Sequence, residues 1–198
     1  MGIHEVENAT DPMVVMHRWM QEAVHSEPND PNAAALATSD VNGQPSVRMV
    51  LIKKIDELGF CFFTNAESRK GVELAENPHA ALCFHWKSLA RQIRVEGPVS
   101  ELPSADADEY FHSRSRGSQL GAAVSRQSRP LASRKELEDL VNTYAAEISG
   151  EVPRPARWKG YALKPERIEF WMAGNDRLHD RILFTREGAG WKKERLFP

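Results

Sequence analysis

What most restricts the fold of this chain is a rapid succession of short apolar segments joined by tight turns. Residues 33–39 and 45–53 flank Asp40-Val41-Asn42-Gly43, and Asn-Gly supplies the positive φ angles that a tight hairpin needs. Residues 60–64 form a third such segment, and 80–86 with 92–100 a further antiparallel pair. After a helical stretch the pattern resumes at 158–164, 167–171 and 179–186, and residues 191–196 follow a Gly188-Ala189-Gly190 turn. Parallel pairing would require a helical crossover after each strand. The segment order therefore predicts a mainly β chain with added helices, paired antiparallel as a barrel or sandwich.

The helices have their own signals. After Asp11-Pro12, the residues Met13, Met16, Met20 and Val24 recur at three- and four-residue spacing, which predicts an amphipathic helix over 12–25 stopped near Pro28. Ser68 is placed to cap a short helix that ends before Pro78. Residues 103–147 read as helical, interrupted at Gly117 and Pro130. No repeat, low-complexity tract or linker divides the 198 residues, so 1–198 is expected to be a single domain.

Charge excludes one class of partner. With 26 Lys+Arg against 28 Asp+Glu the formal net charge is −2, which is no electrostatic footprint for nucleic acid. The basic set is 17 Arg to 9 Lys, a tilt toward the side chain that grips phosphate and carboxylate as a bidentate fork. Cys61 and Cys83 lie inside apolar strand-like runs and are expected as buried reduced thiols. No stretch approaches the roughly 18 apolar residues of a membrane span, and the acidic N-terminus has no apolar signal region. A cytoplasmic protein that binds neither membrane nor nucleic acid is expected.

The chain has no GxGxxG after a strand, no GxxxxGK[ST], no GxSxG and no HExxH, and its seven histidines show no ligand spacing. No metal is expected, and an enzyme built this way would draw its chemistry from an organic cofactor. Four constellations stand out. Arg48 to Lys53 is a strand beginning and ending in a cation, and alternation sends Arg48 and Lys53 to opposite faces. Two solvated strand ends are the plainer account of it. Arg69 and Lys70 open a helix with the wrong sign for its dipole, which makes sense if an anion sits among them, although an exposed basic turn has the same sequence. Tyr110, Arg114 and Ser118 recur every four residues and would line one face of a continuous helix, fit for a phosphate monoester or merely a solvated surface. Arg177, His179 and Arg181 would share one strand face, a costly arrangement unless it addresses an anion or an electron-rich ring, or unless His179 is a satisfied structural group.

At these residues the sequence resembles the pyridoxine (pyridoxamine) 5′-phosphate oxidases, flavin enzymes of vitamin B6 metabolism. The likeness runs from about Asp11 to Pro198, and the segment from Ile168 to Arg181 is similar to the family signature. It implies a split antiparallel β-barrel of FMN-binding type, a homodimer with FMN at the interface, and oxidation of pyridoxamine and pyridoxine 5′-phosphates by O₂ to pyridoxal 5′-phosphate and H₂O₂. Carried over by position, Arg48 and Lys70 would neutralise the FMN phosphate, with Arg69, Gln127 and Ser128 also contacting FMN. Met49, Val50, Leu51, Ile52, Lys53, Phe63 and Thr64 would run along the flavin, and Gln92, Trp171 and Arg181 would address its rings. Lys53, Tyr110, Arg114 and Ser118 would clamp the substrate phosphate, with Arg177 and His179 flanking the pyridine as the catalytic candidates. Two departures accompany the likeness. Residues 1–10 lack the Arg and Tyr that many members carry in an N-terminal arm, so this segment is expected as a flexible arm, and Phe63 stands where Tyr is frequent.

Other readings remain at this level. A phenazine-biosynthesis-type flavin oxidase shares the barrel and parts of the signature, yet has no use for the Tyr110/Arg114/Ser118 clamp. A flavin- or B6-phosphate-binding protein without turnover would keep the same residues. An RNA-binding module is hinted at by the Ser/Arg-rich stretch from 113 to 135, which Leu120 to Val124 interrupts.

Overall fold

The computed structural model describes residues 2–198. Its strands are β1 (Ala33–Ser39), β2 (Pro45–Leu51), β3 (Lys54–Asp56), β4 (Gly59–Asn65), β5 (His79–Trp86), β6 (Arg91–Glu101), β7 (Trp158–Leu163), β8 (Arg167–Met172), β9 (Asp180–Glu187) and β10 (Gly190–Arg195). Its helices are α1 (Ile3–Asn8), α2 (Pro12–Ser26), α3 (Arg69–Glu76), α4 (Ser104–Ser113), α5 (Arg116–Val124) and α6 (Arg134–Glu147). Among the described residues no helix is long and apolar enough to cross a membrane.

All pairings between these strands are antiparallel. They run in the order β10-β9-β8-β6-β5-β1-β2, while β7 joins β6 to β4 and β4 pairs β3. The division of the barrel happens on one strand. Arg91 to Glu96 of β6 pair with β8, and Val99 to Glu101 pair with β7. The switch falls at Gly97-Pro98, where the Lys164 N–H donates to the Pro98 carbonyl at 2.9 Å. A Cβ on Gly97 would stand 2.0 Å from the Lys164 carbonyl oxygen, so this crossing requires glycine.

Alternation along these strands fills the interior. Leu36, Phe60, Phe62, Leu82, Phe84, Ile93, Val95, Ile168, Phe170 and Phe184 form one buried cluster, closed by α2. Asp11 caps α2 by accepting from the Met13 N–H, and Pro12 fills its first turn. The buried face of α2 is Val15, Met16, Trp19 and Ala23 rather than the full methionine stripe, and Val24 is exposed. Trp19 decides that rotation, because its ring meets Phe170 edge-on at 5.2 Å. Residues 3–8, expected as part of a flexible arm, instead form α1. Ile3 and Val6 are buried there, and Lys193 of β10 donates to the carbonyls of Glu7 and Ala9.

A second, smaller cluster of Phe111, Leu120, Val152 and Trp158 seats the helical insertion on the barrel. The helix break in that insertion falls at Arg114-Ser115, where Arg114 is extended (ψ 157°), and not at Gly117. Ser115 caps α5 by accepting from the Ser118 N–H, and buried Gln119 bridges the break by donating to the carbonyls of His112 and Arg114. Cys61 is buried and Cys83 half-buried, both as free thiols, and burial pushes the Cys61 thiol up to about 11.

Candidate active site

A cleft of about 710 Å³ opens between the end of β2, the end of β4, the start of α3 and the α4–α5 corner. That volume lies within the range of small-molecule sites. Arg48 on β2 and Lys53, two residues beyond its end, point apart, as the sequence pattern requires. Lys53 lies on the cleft, with its ammonium 5.7 Å from the centre of the Tyr110 ring. Arg48 turns inward, donating to the Leu36 carbonyl at 3.1 Å and to Thr38 Oγ1 at 2.5 Å.

Tyr110, Arg114 and Ser118 do line this cleft together, but not on one helix. Tyr110 lies in the last turn of α4, Arg114 occupies the extended corner and Ser118 lies in the first turn of α5, so a bend achieves what helical periodicity was expected to do. The floor is aromatic. Phe63 stacks on Tyr110 at 4.3 Å and on Trp158 at 5.5 Å, and Arg114 lies 5.1 Å above Trp158. Arg114 Nη1 is buried without a hydrogen-bond partner, and burial lowers the guanidinium pKa. A buried charged donor left without an acceptor is costly, and an anion in the cleft is what would satisfy it.

At the α3 end, Lys70 is buried, and its ammonium reaches Thr64 Oγ1 at 3.2 Å and Ser68 Oγ at 3.5 Å. Burial lowers its pKa, with the charge of Arg48 acting in the same direction. The cation thus has only neutral acceptors. Gln127 accepts from Thr64 Oγ1 at 3.5 Å, and Ser128, with φ +71°, accepts the Arg69 N–H at 3.2 Å. Arg48, Arg69 and Ser128 stand behind this wall rather than on it, and Ile52 is buried in the main core.

The remaining expected residues form a separate group. Cross-strand pairing puts Gln92, Trp171 and Arg181 in one row over β6, β8 and β9. His179 packs on Trp171 at 4.7 Å. The strand face predicted for Arg177, His179 and Arg181 is not present. Arg177 (φ +64°) closes a 3₁₀ turn over Asn175–Arg177, His179 sits in the loop after it, and β9 starts only at Asp180. The reason is local. Gly174, where a Cβ would meet the Leu178 carbonyl oxygen at 2.0 Å, folds the loop back so that its N–H donates to His179 Nδ1 at 3.2 Å. An N–H can only donate, so the His179 proton belongs on Nε2. Arg181 donates from Nε and Nη2 to buried Glu169, which also accepts from Arg94. Four strand steps, about 19 Å measured along the sheet, lie between β8 and β2, and none of Gln92, Trp171, Arg177, His179 and Arg181 lines the cleft of Lys53 and Arg114.

Sequence reasoning did not single out Trp158, Glu73 or Glu169. Trp158 was legible only as a strand start, and of the two carboxylates only Glu73 left a local trace, its i,i+4 spacing from Arg69.

Comparison with known proteins addresses the whole chain. Residues 20–147 match the family described as pyridoxamine 5′-phosphate oxidase, and residues 158–198 match the pyridoxine 5′-phosphate oxidase C-terminal dimerisation region. The chain is 54% identical over 189 residues to the pyridoxine/pyridoxamine 5′-phosphate oxidase of Gluconobacter oxydans, covering 95% of this chain and 94% of that one. It is 55% identical over 194 residues to the protein of the same name from Rhodospirillum rubrum, covering 95% and 96%. Among solved structures, PhzG from Burkholderia lata in complex with tetrahydrophenazine-1-carboxylic acid superposes with a TM-score of 0.92 at 32% identity, covering 100% of this chain and 98% of that one. A pyridoxamine 5′-phosphate oxidase-related, FMN-binding protein from Nostoc punctiforme shares the fold, with a TM-score of 0.78 at 15% identity over 96% and 100% of the two chains. With a family match over most of its length and relatives more than half identical from end to end, this chain belongs to the pyridoxamine 5′-phosphate oxidase family.

Proposed function

We propose that the protein catalyses the FMN-dependent oxidation of pyridoxamine 5′-phosphate and pyridoxine 5′-phosphate to pyridoxal 5′-phosphate, with O₂ as acceptor and H₂O₂ as product. The observation that carries this reading is a cleft with two cation sets that lack anionic partners, Lys70 at one wall and Arg114 at another, over an aromatic floor. Two phosphate-bearing aromatic ligands are what such a cleft fits. The curated relatives that match over the full chain carry the name of this oxidase.

Lys70 with Arg48, Arg69 and the Gln127-Ser128 turn would hold the cofactor phosphate, while Met49, Val50, Leu51, Phe63 and Thr64 would border the flavin. FMN held there would supply the redox chemistry of the site, as acceptor of the hydride from substrate C4′ and donor of the electrons to O₂. Lys53, Tyr110, Arg114 and Ser118 would clamp the substrate phosphate, so that binding energy gained far from C4′ fixes its orientation. Gln92, Trp171, Arg177, His179 and Arg181 would come from a second copy of the chain, since one copy does not bring the two groups together. All but Gln92 lie in the region matched as dimerisation region. His179, whose Nδ1 accepts from Gly174, would present its Nε2–H to the pyridine, and Arg177 would supply positive charge there.

Anaerobic titration of the flavin-loaded protein with pyridoxamine 5′-phosphate tests the reading. Visible flavin absorbance should bleach with substrate and return on admitting air. Absorbance that ignores this substrate but responds to a reduced phenazine carboxylate would transfer the protein to the chemistry of its PhzG neighbour.

A further inference from the structure

One carboxylate in the cation cluster behind the cleft is used by none of the contacts above. Glu73, on α3, is only 4% exposed and accepts from four side chains. Thr38 Oγ1 donates to its Oε2 at 2.5 Å and Ser46 Oγ at 2.6 Å. Arg69 Nε donates to Oε1 at 2.8 Å, and Arg48 Nη2 approaches Oε2 at 3.4 Å. The two hydroxyls also receive the Arg48 guanidinium, Thr38 from Nη1 and Ser46 from Nη2. Arg48 and Arg69 therefore come from different elements, β2 and α3, and are tied together at this one carboxylate.

We propose that Glu73 is a positioning residue for the cofactor phosphate: it fixes Arg48 and Arg69 behind Lys70 and thereby sets the preference for phosphorylated over unphosphorylated flavin. This rests on the FMN site proposed above. Three cations and one carboxylate leave a formal +2, which matches a phosphate monoester dianion. The bond to Arg69 uses Nε and leaves its Nη pair for a second acceptor, the fork geometry suited to phosphate. Burial pushes the Glu73 carboxyl up, but hydrogen bonds from Ser46, Thr38 and Arg69 and the charge of Arg48 outweigh it and hold it down at about 2. The group is accordingly ionised wherever flavin binding is measured.

The test is the pair of dissociation constants for FMN and riboflavin on the protein freed of flavin. Riboflavin lacks the phosphate and serves as the internal control. Glu73→Gln should weaken FMN by about 10- to 100-fold, the size of one or two misaligned charge-assisted hydrogen bonds, while riboflavin changes less than about threefold. Ser46→Ala keeps the Glu73 charge and removes one of its anchors, so it should shift the same ratio in the same direction by less. An FMN constant that stays unchanged or tightens in Glu73→Gln overturns the proposal, because the carboxylate would then be only a brake on positive charge. Equal weakening of both flavins also overturns it, as a general structural effect. Unmodified protein that does not prefer FMN to riboflavin would remove the phosphate site itself, a failure visible before any variant is made.

Discussion

Arg114 shows how one residue's meaning depends on what surrounds it. Its sequence neighbours, Ser113 and Ser115, suggest a solvated surface. In the fold it lies over Trp158 with Nη1 buried and unpartnered, an arrangement that costs free energy until an anion arrives. Arg114→Ala should therefore raise KM for the phosphorylated substrate by roughly 10- to 150-fold, from about 1.5–3 kcal/mol per charge-assisted bond, and leave bound FMN in place. Steady-state kinetics beside the flavin content of the purified variant separates the two ligands, and loss of FMN would refute the division of roles between Arg114 and Lys70. His179 teaches the complementary lesson. Its chemistry is set by a backbone N–H five residues earlier, which decides which ring nitrogen carries the proton.

Among the elements, β6 positions the site. It is the strand on which the sheet divides, and it carries Gln92 at one end and meets β7 at the other. The change of partner depends on Gly97. In Gly97→Ala the methyl group faces a backbone oxygen that has no rotamer to yield, so the penalty belongs at the upper end for overpacking, about 3 kcal/mol. For a chain of this size that is about 6–12 °C in Tm, read by thermal unfolding at fixed protein and flavin concentration. Retention of the parent Tm would mean that β6 and the Lys164 turn separate without cost. The α4–α5 corner is the other decisive element. Its bend, capped by Ser115 and tied by Gln119, places three substrate-clamp candidates on one wall that a straight helix would have met differently.

For the molecule as a whole, the distribution of apolar surface points outward from the cleft. Strand β2 ends the sheet order, and its outer face exposes Val47 (69%) and Met49 (63%), continuous with the cleft that Met49 also lines. A surface of this kind at a sheet edge calls for a cover, and a second copy carrying the His179 group would complete the proposed site as well. The double variant Val47→Glu, Met49→Glu should halve the molecular mass measured by light scattering and lose FMN with it. An intact dimer that still binds FMN would place the interface elsewhere.

Much of this was written locally. Strand identity, antiparallel pairing and most element ends follow from alternation, Asn-Gly and proline, and the structure reproduces them within a residue or two, except that the three-residue strand β3, too short to show alternation, was not expected. Of the residues in the cleft, Lys53, Lys70, Tyr110, Arg114 and Ser118 stand in clusters that suit a phosphate or a solvated surface alike, whereas Phe63 and Gln127 were named only through the family resemblance. Three things were not written there. Helical periodicity carries no signal for the corner at Arg114, and strand alternation none for the loop that Gly174 folds around His179. Nor does local pattern reveal Glu73 and Glu169, since each binds arginines from distant segments. Sequence alone determined which chemistry the chain can offer, because side-chain type and short-range spacing are local properties. The tertiary structure decided which groups meet, because burial, ion pairing and the division of the site between strands far apart in the sheet arise only when distant segments pack.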